Sequence, residues 1–313
     1  MAAKTMAERL ASLNPNEPFV FLLSGGASAL MEIPREPLTI EDLAITTRNL
    51  MAQGFPIDRL NRVRTALSLV KGGGLARLTR GTGTILVMSD VPGNSLADIG
   101  SGPFVPTASD DPELLHMLQQ AGTWRQLPSR VKALLQSNTP RTTAPDCEAT
   151  HHIVMDNDRF LAELKRRLEQ QGFRKQIMDR KLSGEARHMG AAVAREARNR
   201  LASPGDSREV LIWGGETTVT VTGKGRGGRN QEAALGALLS LADKPPIQCL
   251  FAGTDGVDGS SDATGAIITS DMWEQVENNR LNPSRILEEN DSHGFFRKAG
   301  GQIRTGWTGI NVM

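Results

Sequence analysis

Residues 214–232 read Gly-Gly-Glu-Thr-Thr-Val-Thr-Val-Thr-Gly-Lys-Gly-Arg-Gly-Gly-Arg-Asn-Gln-Glu, a stretch unusually dense in chemically active groups. Thr217 to Thr222 alternates threonine with valine, which predicts a half-buried β-strand. Four glycines follow within 223–228, and an Ala/Leu-rich helix is predicted from Arg229. Glycines allow backbone N–H groups to approach a ligand, and a helix N-terminus with free N–H donors favours anions. The stretch predicts a phosphate or carboxylate site; the alternative is a mobile glycine-rich turn.

Gly223, Gly225 and Gly228 also match the Gly-x-Gly-x-x-Gly fingerprint of dinucleotide-binding proteins. That fingerprint follows a continuous apolar strand of a parallel sheet, whereas residues 217–222 alternate. Asp243 also precedes the next predicted strand, while the acid that binds the ribose stands at the end of that strand. The pattern therefore disfavours a nicotinamide cofactor here.

The composition is that of an ordinary globular protein, with 313 residues, 39% hydrophobic and 23% charged. A net charge of +1 and the lack of tyrosine argue against nucleic acid and membrane surfaces as partners. Cys147 and Cys249 stand far apart, which favours a reducing, cytoplasmic location. The Pro- and Gly-containing segment 203–207 predicts a linker between two domains, 1–205 and 206–313.

Two short apolar runs, Phe19–Leu23 and Thr84–Met88, are typical of parallel strands buried on both faces. Each run ends in a polar, glycine-containing loop, and ligands of open α/β sheets bind where such strands end. The sequence therefore predicts an anion-binding loop at Ser24–Ser28 and a metal ligand or general base at Asp90. The alternatives are a tightly packed turn and a capping aspartate.

Further candidates come from a cation beside glycines and from a loop rich in acids. Lys71 precedes Gly72–Gly74, which would allow its ammonium group to approach an anion. Residues 253–262 carry Asp255, Asp258 and Asp262, which favours Mg²⁺ or a polyol, with a plain Asp/Gly turn as the alternative. Helices are predicted at Ile40–Ala52, with Thr39 as its N-cap, and at Ile57–Leu69, Pro112–Gln120 and Ala186–Leu201.

Several of these segments, in the same order along the chain, resemble the class II glycerate 2-kinase family, also called MOFRL-domain glycerate kinases. Residues 23–28 are similar to its Leu-Ser-Gly-Gly-(Gly/Ala)-Ser motif, and residues 64–73 to its Arg-Lys-His-Leu-Ser-x-x-Lys-Gly-Gly motif. The loops at 89–94 and 101–103 resemble its Ser-Asp-Val-x-Gly-(Asp/Asn) and Ser-Gly-Pro loops. The MOFRL half is represented by residues 214–217, 227–232 and 253–256.

The resemblance implies an α/β fold with a Rossmann-like α/β/α N-terminal domain, incomplete here, and a second α/β MOFRL domain with a mixed sheet. It implies phosphorylation of D-glycerate at O2 by ATP with Mg²⁺, in a cleft between the domains. Some members carry the older name hydroxypyruvate reductase, so an NAD(P)-dependent reductase is one alternative. A non-catalytic remnant that binds a nucleotide or a small acid is the other.

Position within the shared motifs implies which residues act. The resemblance assigns catalysis to Arg229, Asp255 and Lys71, and the metal to Asp90 and Asp255. The predicted phosphate- or substrate-binding residues are the motif residues Ser24, Gly25, Gly26, Ala27, Ser28, Arg64, Ser68, Asp90, Asn94, Ser101, Glu216 and Asn230, together with Asn157, which follows a short predicted strand.

The sequence also departs from the family pattern. The Gly-Lys-Ala loop, whose lysine is thought to be catalytic, and the His-Pro-Val-Pro motif do not occur in these 313 residues. Ala66, Trp307 and Ile310 replace the family's His, Pro and Thr. We therefore expect a chain trimmed at both ends, with impaired activity and exposed sheet edges that favour a homodimer or larger homo-oligomer.

Overall fold

A computed structural model describes residues 2–106, 112–137, 147–201, 209–243 and 245–312. It divides into two compact units, Met1–Val154 and Met155–Met313. This division differs from the predicted boundary at residue 205, because the segment after Val154 pairs and packs with elements that follow residue 208. No helix within the described ranges is long and apolar enough to cross a membrane.

The first unit contains three strands and seven helices among its described residues. They are α1 Ala2–Ala11, β1 Pro18–Leu23, α2 Ala27–Leu30, α3 Ile40–Ala52, α4 Ile57–Leu67, α5 Gly74–Leu78, β2 Thr82–Met88, α6 Pro112–Gln120, α7 Ser129–Gln136 and β3 Glu148–Met155. The sheet order is β1-β2-β3, and β1 runs parallel to β2 with Leu23 opposite Val87. Because the two strands are parallel, the loops that follow them leave the same edge of the sheet.

The predicted strands are confirmed, but the prediction that both faces of β1 are buried is wrong. Val20 is 65% exposed and Leu22 76% exposed. On the other face Phe21 packs edge-on against Phe104, with ring centroids 4.9 Å apart, and Leu23 is buried. A continuous apolar run therefore does not by itself establish cover on both faces of a strand.

Helix α3 forms with the predicted bounds because a capping box starts it. The Thr39 hydroxyl accepts from the Asp42 N–H, and the Asp42 carboxylate accepts from the Thr39 N–H at 2.9 Å. Helices α3, α4, α6 and α7 then share a core that includes Leu50, Val63 and Leu118. A second core lies against the inner face of the sheet.

The second unit combines a parallel pair of strands with an antiparallel sheet, as the predicted mixed α/β class requires. Its elements are α8 Asn157–Gln170, β4 Arg174–Leu182, α9 Ala186–Leu201, β5 Glu209–Gly215, α10 Arg229–Ser240, β6 Cys249–Ala252, β7 Gly265–Ile268, α11 Met272–Asn278, α12 Pro283–Glu288, α13 Ser292–Ala299 and β8 Gln302–Ile303. Strands β4 and β5 are parallel, whereas β6, β7 and β8 are antiparallel.

Helix α10 is almost completely buried, and its contact with α9 depends on two glycines. A Cβ on Gly190 would overlap the Ala233 carbonyl oxygen, and a Cβ on Gly236 would overlap the Arg187 carbonyl oxygen. The two backbones therefore approach more closely than any other residue type would permit. This contact fixes the helix whose first residues belong to the predicted site.

The prediction of a strand at Thr217–Thr222 is wrong. The segment is extended, but its one bridge joins Thr218 to Glu185. Elsewhere side chains hold it: the Glu185 carboxylate accepts from the Thr220 hydroxyl at 2.9 Å, and Asn290 Oδ1 accepts from the Thr222 N–H at 2.8 Å. Val221 is exposed. An alternating pattern also suits an extended segment that other elements anchor, so the period of two does not require a strand partner.

Candidate functional site

The predicted anion loop of the first unit leaves the carboxyl end of β1 and begins α2. Gly26 takes the left-handed conformation (φ 81°) that allows this turn. The Ser28 carbonyl oxygen accepts from Lys71 Nζ at 2.9 Å and from Arg64 Nη2 at 2.8 Å. The Ser28 hydroxyl shares a hydrogen bond of 2.9 Å with the Ser101 hydroxyl. Four of the predicted residues therefore meet at one turn.

Lys71 is turned into the protein. Its side chain is 0% exposed, and its ammonium group forms an ion pair with the Glu32 carboxylate. Glu32 also accepts a hydrogen bond from Ser68. Burial lowers the pKa of Lys71, and the hydrogen bond with Glu32 opposes that shift. In this structure the lysine holds the Ser28 turn, and the predicted direct contact of Lys71 with an anion stays a prediction.

Ser28, Glu32 and Arg64 also border a cavity of about 880 Å³. Its other walls come mainly from α3 and α4, with Leu43, Leu50 and their apolar neighbours. The polar groups of the Ser28 turn therefore stand at the margin of an apolar space that is large enough for a small molecule.

Asp90 follows β2, so it leaves the same sheet edge as the Ser24–Ser28 loop. It is half-buried, and burial raises the pKa of its carboxyl group. Asn94 and Ser101 on the following loops both have left-handed backbones, at φ 57° and 62°. Residues other than glycine rarely adopt this conformation, and such strain is common around functional sites.

In the second unit the predicted residues gather around the end of β5 and the start of α10. Arg229 Nη1 lies 2.5 Å from Glu216 Oε1, and the two side chains are 44% and 42% exposed. Asn157, the first residue of α8, lies beside β5, since a Cβ on Gly214 would come within 2.5 Å of its Oδ1. Arg229 is therefore held by an acid but remains accessible to solvent.

Asp258 occupies the N-terminus of α10. Its Oδ1 accepts from the Asn230 N–H at 2.9 Å and from Asn230 Nδ2 at 3.2 Å. Its Oδ2 accepts from the Gln231 N–H at 2.8 Å and from Gln231 Nε2 at 3.0 Å. The free N–H donors predicted at this helix start are thus taken by a carboxylate that is 1% exposed, which corrects the interpretation of the helix terminus as an open anion site.

The glycines of residues 223–228 have a packing role. A Cβ on Gly223 would overlap the backbone of Glu289, and a Cβ on Gly228 would overlap Asp258. A Cβ on Gly225 would lie 2.5 Å from the Asp291 Cα. The close backbone approach that the sequence predicts is present, but it is an approach to the protein's own chain.

An ion pair and an asparagine hold the segment that connects β5 to α10. Glu232 is 2% exposed, and its Oε1 lies 2.6 Å from Arg187 Nη2. Its Oε2 accepts from Asn290 Nδ2 at 3.1 Å. Asn290 Oδ1 in turn accepts from the N–H groups of Thr222 and Gly223, both at 2.8 Å. The path from β5 to α10 is therefore fixed at both of its flanks.

Asp255 lies on the loop after β6. Its Oδ1 accepts from the Val257 N–H at 3.1 Å, and its carbonyl oxygen accepts from the Thr308 N–H at 3.1 Å. No cluster of three or more His, Cys, Asp or Glu side chains within the described ranges is arranged to hold a metal ion. Asp255 and Asp90 belong to different compact units, and their joint metal role stays a prediction.

Comparisons with known proteins cover both units. The model described as a domain of unknown function, DUF4147, matches residues 1–136, and the MOFRL family model matches residues 209–313. A glycerate 2-kinase of Pyrococcus horikoshii is 35% identical over 323 residues, covering 100% of this chain and 72% of its own. A D-glycerate 2-kinase of Thermotoga maritima is 35% identical, with 99% and 74% covered. The chain belongs to the glycerate 2-kinase family.

A solved structure agrees with this membership. The crystal structure of a glycerate kinase from Thermotoga maritima matches 99% of this chain and 75% of its own, with a TM-score of 0.87 and 34% identity. These relatives are named as kinases, so they give no support to the alternative of an NAD(P)-dependent reductase. The fingerprint that suggested it follows an extended segment in place of a parallel strand, and its glycines pack against residues 258 and 289–291.

The motifs shared with glycerate 2-kinases did not reveal every residue that shapes the site. Glu32 was missed because nothing in its local sequence distinguishes it from a surface acid. The sequence places Asp258 in an acidic loop but does not indicate that it contacts the start of α10. Arg187 and Asn290 were also missed, since Glu232, the buried acid that both contact, lies 45 positions from Arg187 and 58 from Asn290.

Proposed function

We propose that this chain transfers the γ-phosphoryl group of ATP to O2 of D-glycerate. The observation that carries the proposal is the match of the whole chain to proteins named glycerate 2-kinase and D-glycerate 2-kinase. A kinase requires a nucleotide, and ATP is the donor we propose. In the reaction, O2 forms a bond to the γ-phosphorus, the bond to the β,γ-bridging oxygen breaks, and the hydroxyl proton is released with ADP.

Arg229 is proposed to stabilise the charge on the phosphoryl group during transfer. Phosphoryl transfer depends mainly on positioning and on neutralising developing charge, and a guanidinium can contact two phosphoryl oxygens at once. The buried start of α10 fixes its backbone, while its half-exposed side chain can exchange Glu216 for a more strongly charged partner. Glu216 would then keep the guanidinium at the site until the nucleotide binds.

The Ser24–Ser28 loop is proposed to hold a phosphate or the glycerate carboxylate through its backbone N–H groups. Arg64 and Lys71 hold the loop in place by donating hydrogen bonds to the Ser28 carbonyl oxygen. Ser101 supports the side chain of Ser28. Asp90 and Asn94, on the loop from the neighbouring strand, are proposed to contact the same ligand.

Mg²⁺ is proposed to enter with ATP. This ion usually takes one or two protein carboxylates together with phosphate oxygens and water. Asp90 and Asp255 are the candidate ligands. When bound, the ion would neutralise phosphate charge.

Arg229→Ala tests the proposal directly. We expect ADP production that depends on D-glycerate to fall by about 10³-fold or more, the loss typical when an arginine aimed at the phosphoryl group is removed. Arg226→Ala is the matched control, because Arg226 is an exposed cation of the same loop whose Nη2 donates to the Ser260 carbonyl oxygen at 3.0 Å. Near-normal turnover by a folded Arg229→Ala protein would contradict the assignment.

The predicted homodimer or homo-oligomer is retained as part of this proposal. Val20 and Leu22 expose apolar surface on β1, which favours association with another chain. Light scattering after size-exclusion chromatography measures the mass in solution, and a strictly monomeric protein at micromolar concentration would contradict the prediction.

A further inference from the structure

The side-chain amide of Asn230 has a fixed orientation. An ionised carboxylate only accepts hydrogen bonds, so the group that Asn230 turns toward Asp258 must be its NH₂. The distance of 3.2 Å from Nδ2 to Asp258 Oδ1 agrees with this. The carbonyl oxygen Oδ1 of Asn230 therefore points away from Asp258, and the side chain presents an acceptor.

Asp258 is well suited to hold this orientation. It accepts from two backbone N–H groups at 2.9 and 2.8 Å and from both neighbouring side-chain amides. Its burial at 1% exposure excludes water as a competing partner. A flipped Asn230 would bring two oxygens together in a buried place, which is costly.

The acceptor of Asn230 is available to a ligand. Within the described part of the chain no donor reaches its Oδ1. The next residue differs, because Gln231 Oε1 lacks a partner and is buried, whereas Asn230 is partly exposed. The unsatisfied oxygen of Asn230 can therefore bind a hydroxyl group that enters from solvent.

A second side chain with an acceptor, Asp255, lies near the Asn230 side chain. A Cβ on Gly253 would lie 3.3 Å from Asn230 Nδ2 and 2.9 Å from Asp255 Oδ1, so the two side chains flank the same glycine. An amide and a carboxylate on side chains that flank one glycine suit a ligand with two adjacent hydroxyl groups. D-glycerate carries such a pair at O2 and O3.

We infer that Asn230, held by Asp258, recognises the O3 hydroxyl of D-glycerate, the hydroxyl that does not react. Asn230 contacts the substrate, and Asp258 is a positioning residue that sets the direction of its amide. This assignment rests on the proposed glycerate kinase function. It makes the site selective for 2-hydroxy acids with a second hydroxyl at C3.

The test compares D-glycerate with D-lactate, which has the reacting hydroxyl but lacks O3. A site that binds a substrate hydroxyl discriminates against the analogue without it, because its polar group is then left unpaired. We measure kcat/KM for both acids with ATP and Mg²⁺, using the full chain. The ratio for D-glycerate over D-lactate should fall about 10-fold or more in Asn230→Leu and in Asp258→Asn, as expected for loss of one directed hydrogen bond.

Ser261→Ala is the matched control. Its hydroxyl accepts from Gln231 Nε2 at 2.8 Å, so it belongs to the same buried network without touching Asn230. Its ratio should stay at the wild-type value, because a purely structural effect lowers both rates together. A wild-type protein that uses D-lactate as well as D-glycerate, or an Asp258→Asn protein that keeps the ratio, overturns the inference. A wild-type protein with no activity on D-glycerate overturns the proposed function itself.

Discussion

The buried pair of Lys71 and Glu32 makes a prediction that does not depend on activity. The Lys71 side chain is 0% exposed and that of Glu32 is 15% exposed, so Glu32→Gln leaves an ammonium group in the interior without its counter-charge. Removing one partner of a buried ion pair typically costs about 3–5 kcal/mol. Because Glu32 retains some contact with water, we expect a value of about 3 kcal/mol at pH 7.

The cost should depend on pH in a definite direction. Burial lowers the pKa of Lys71, so between its folded and unfolded pKa values the unfolded chain binds more protons and stability rises with pH. The hydrogen bond and charge of Glu32 oppose that shift. Glu32→Gln therefore lowers the pKa of Lys71 further, so the pH range over which stability rises begins at a lower pH. The difference in unfolding free energy between variant and wild type should shrink as the pH rises toward the ordinary lysine pKa of about 10.4.

Urea unfolding with a reporter in the first unit measures this effect. Trp124 lies in Met1–Val154, whereas Trp213, Trp273 and Trp307 lie in the second unit. A background with phenylalanine at those three positions makes Trp124 fluorescence specific to the first unit. The free energy of unfolding is then extrapolated at several pH values.

Two further variants make the result interpretable. Glu8→Gln removes an exposed acid from α1 and should change stability by less than about 0.5 kcal/mol. Glu32→Gln combined with Lys71→Met should be more stable than Glu32→Gln alone, because no buried charge remains. The reasoning is refuted if the unfolding free energy of Glu32→Gln lies within about 1 kcal/mol of the wild-type value at pH 7. It is also refuted if adding Lys71→Met to Glu32→Gln restores none of the lost stability.

Three other predictions follow from local contacts. Thr39→Ala removes the N-cap side chain of α3 and should cost about 1 kcal/mol. The Thr39 backbone N–H and, next, its hydroxyl lower the pKa of Asp42, so loss of the hydroxyl should raise that pKa in an NMR titration, and no change would contradict the side-chain contact. Gly236→Val places side-chain atoms against the Arg187 carbonyl oxygen and should cost about 3 kcal/mol in thermal unfolding, whereas a neutral result would contradict the close α9–α10 contact. Burial raises the pKa of the Cys249 thiol to about 11, so a disulfide reagent at about pH 8 should label it only after unfolding, and fast labelling of native protein would show that it is accessible.

Elements with local signals were predictable from the sequence. Helix α3 was predicted with its bounds because its capping residues and its apolar period occur within one short segment. Helix α9 was likewise predicted at Ala186–Leu201. Strand β4 was missed, since Arg174–Leu182 is rich in charged residues and has no clear alternation. Pairing with β5 stabilises this strand, although its own sequence does not indicate a strand.

The sequence nominates residues for the candidate site, but it does not predict which side chains contact one another there. The shared motifs identify Arg229, Asn230 and Lys71 by position, yet they do not say what each side chain contacts. Glu32 and Asp258 decide that question, and both act across long separations: Glu32 lies 39 positions from Lys71, and Asp258 lies 28 positions from Asn230. Such contacts depend on tertiary packing, which a local pattern does not encode.

The glycine-rich segment shows how one pattern can arise from two physical causes. Glycines at 223, 225 and 228 could let a backbone approach a phosphate, but in this structure they let it approach Glu289, Asp291 and Asp258. The same close approach brings the chain to the start of α10, where Asp258 accepts from the helix N–H donors and Arg229 remains an accessible cation. In the proposed phosphoryl transfer these glycines would act indirectly, because their packing fixes the backbone that carries Arg229 and Asn230.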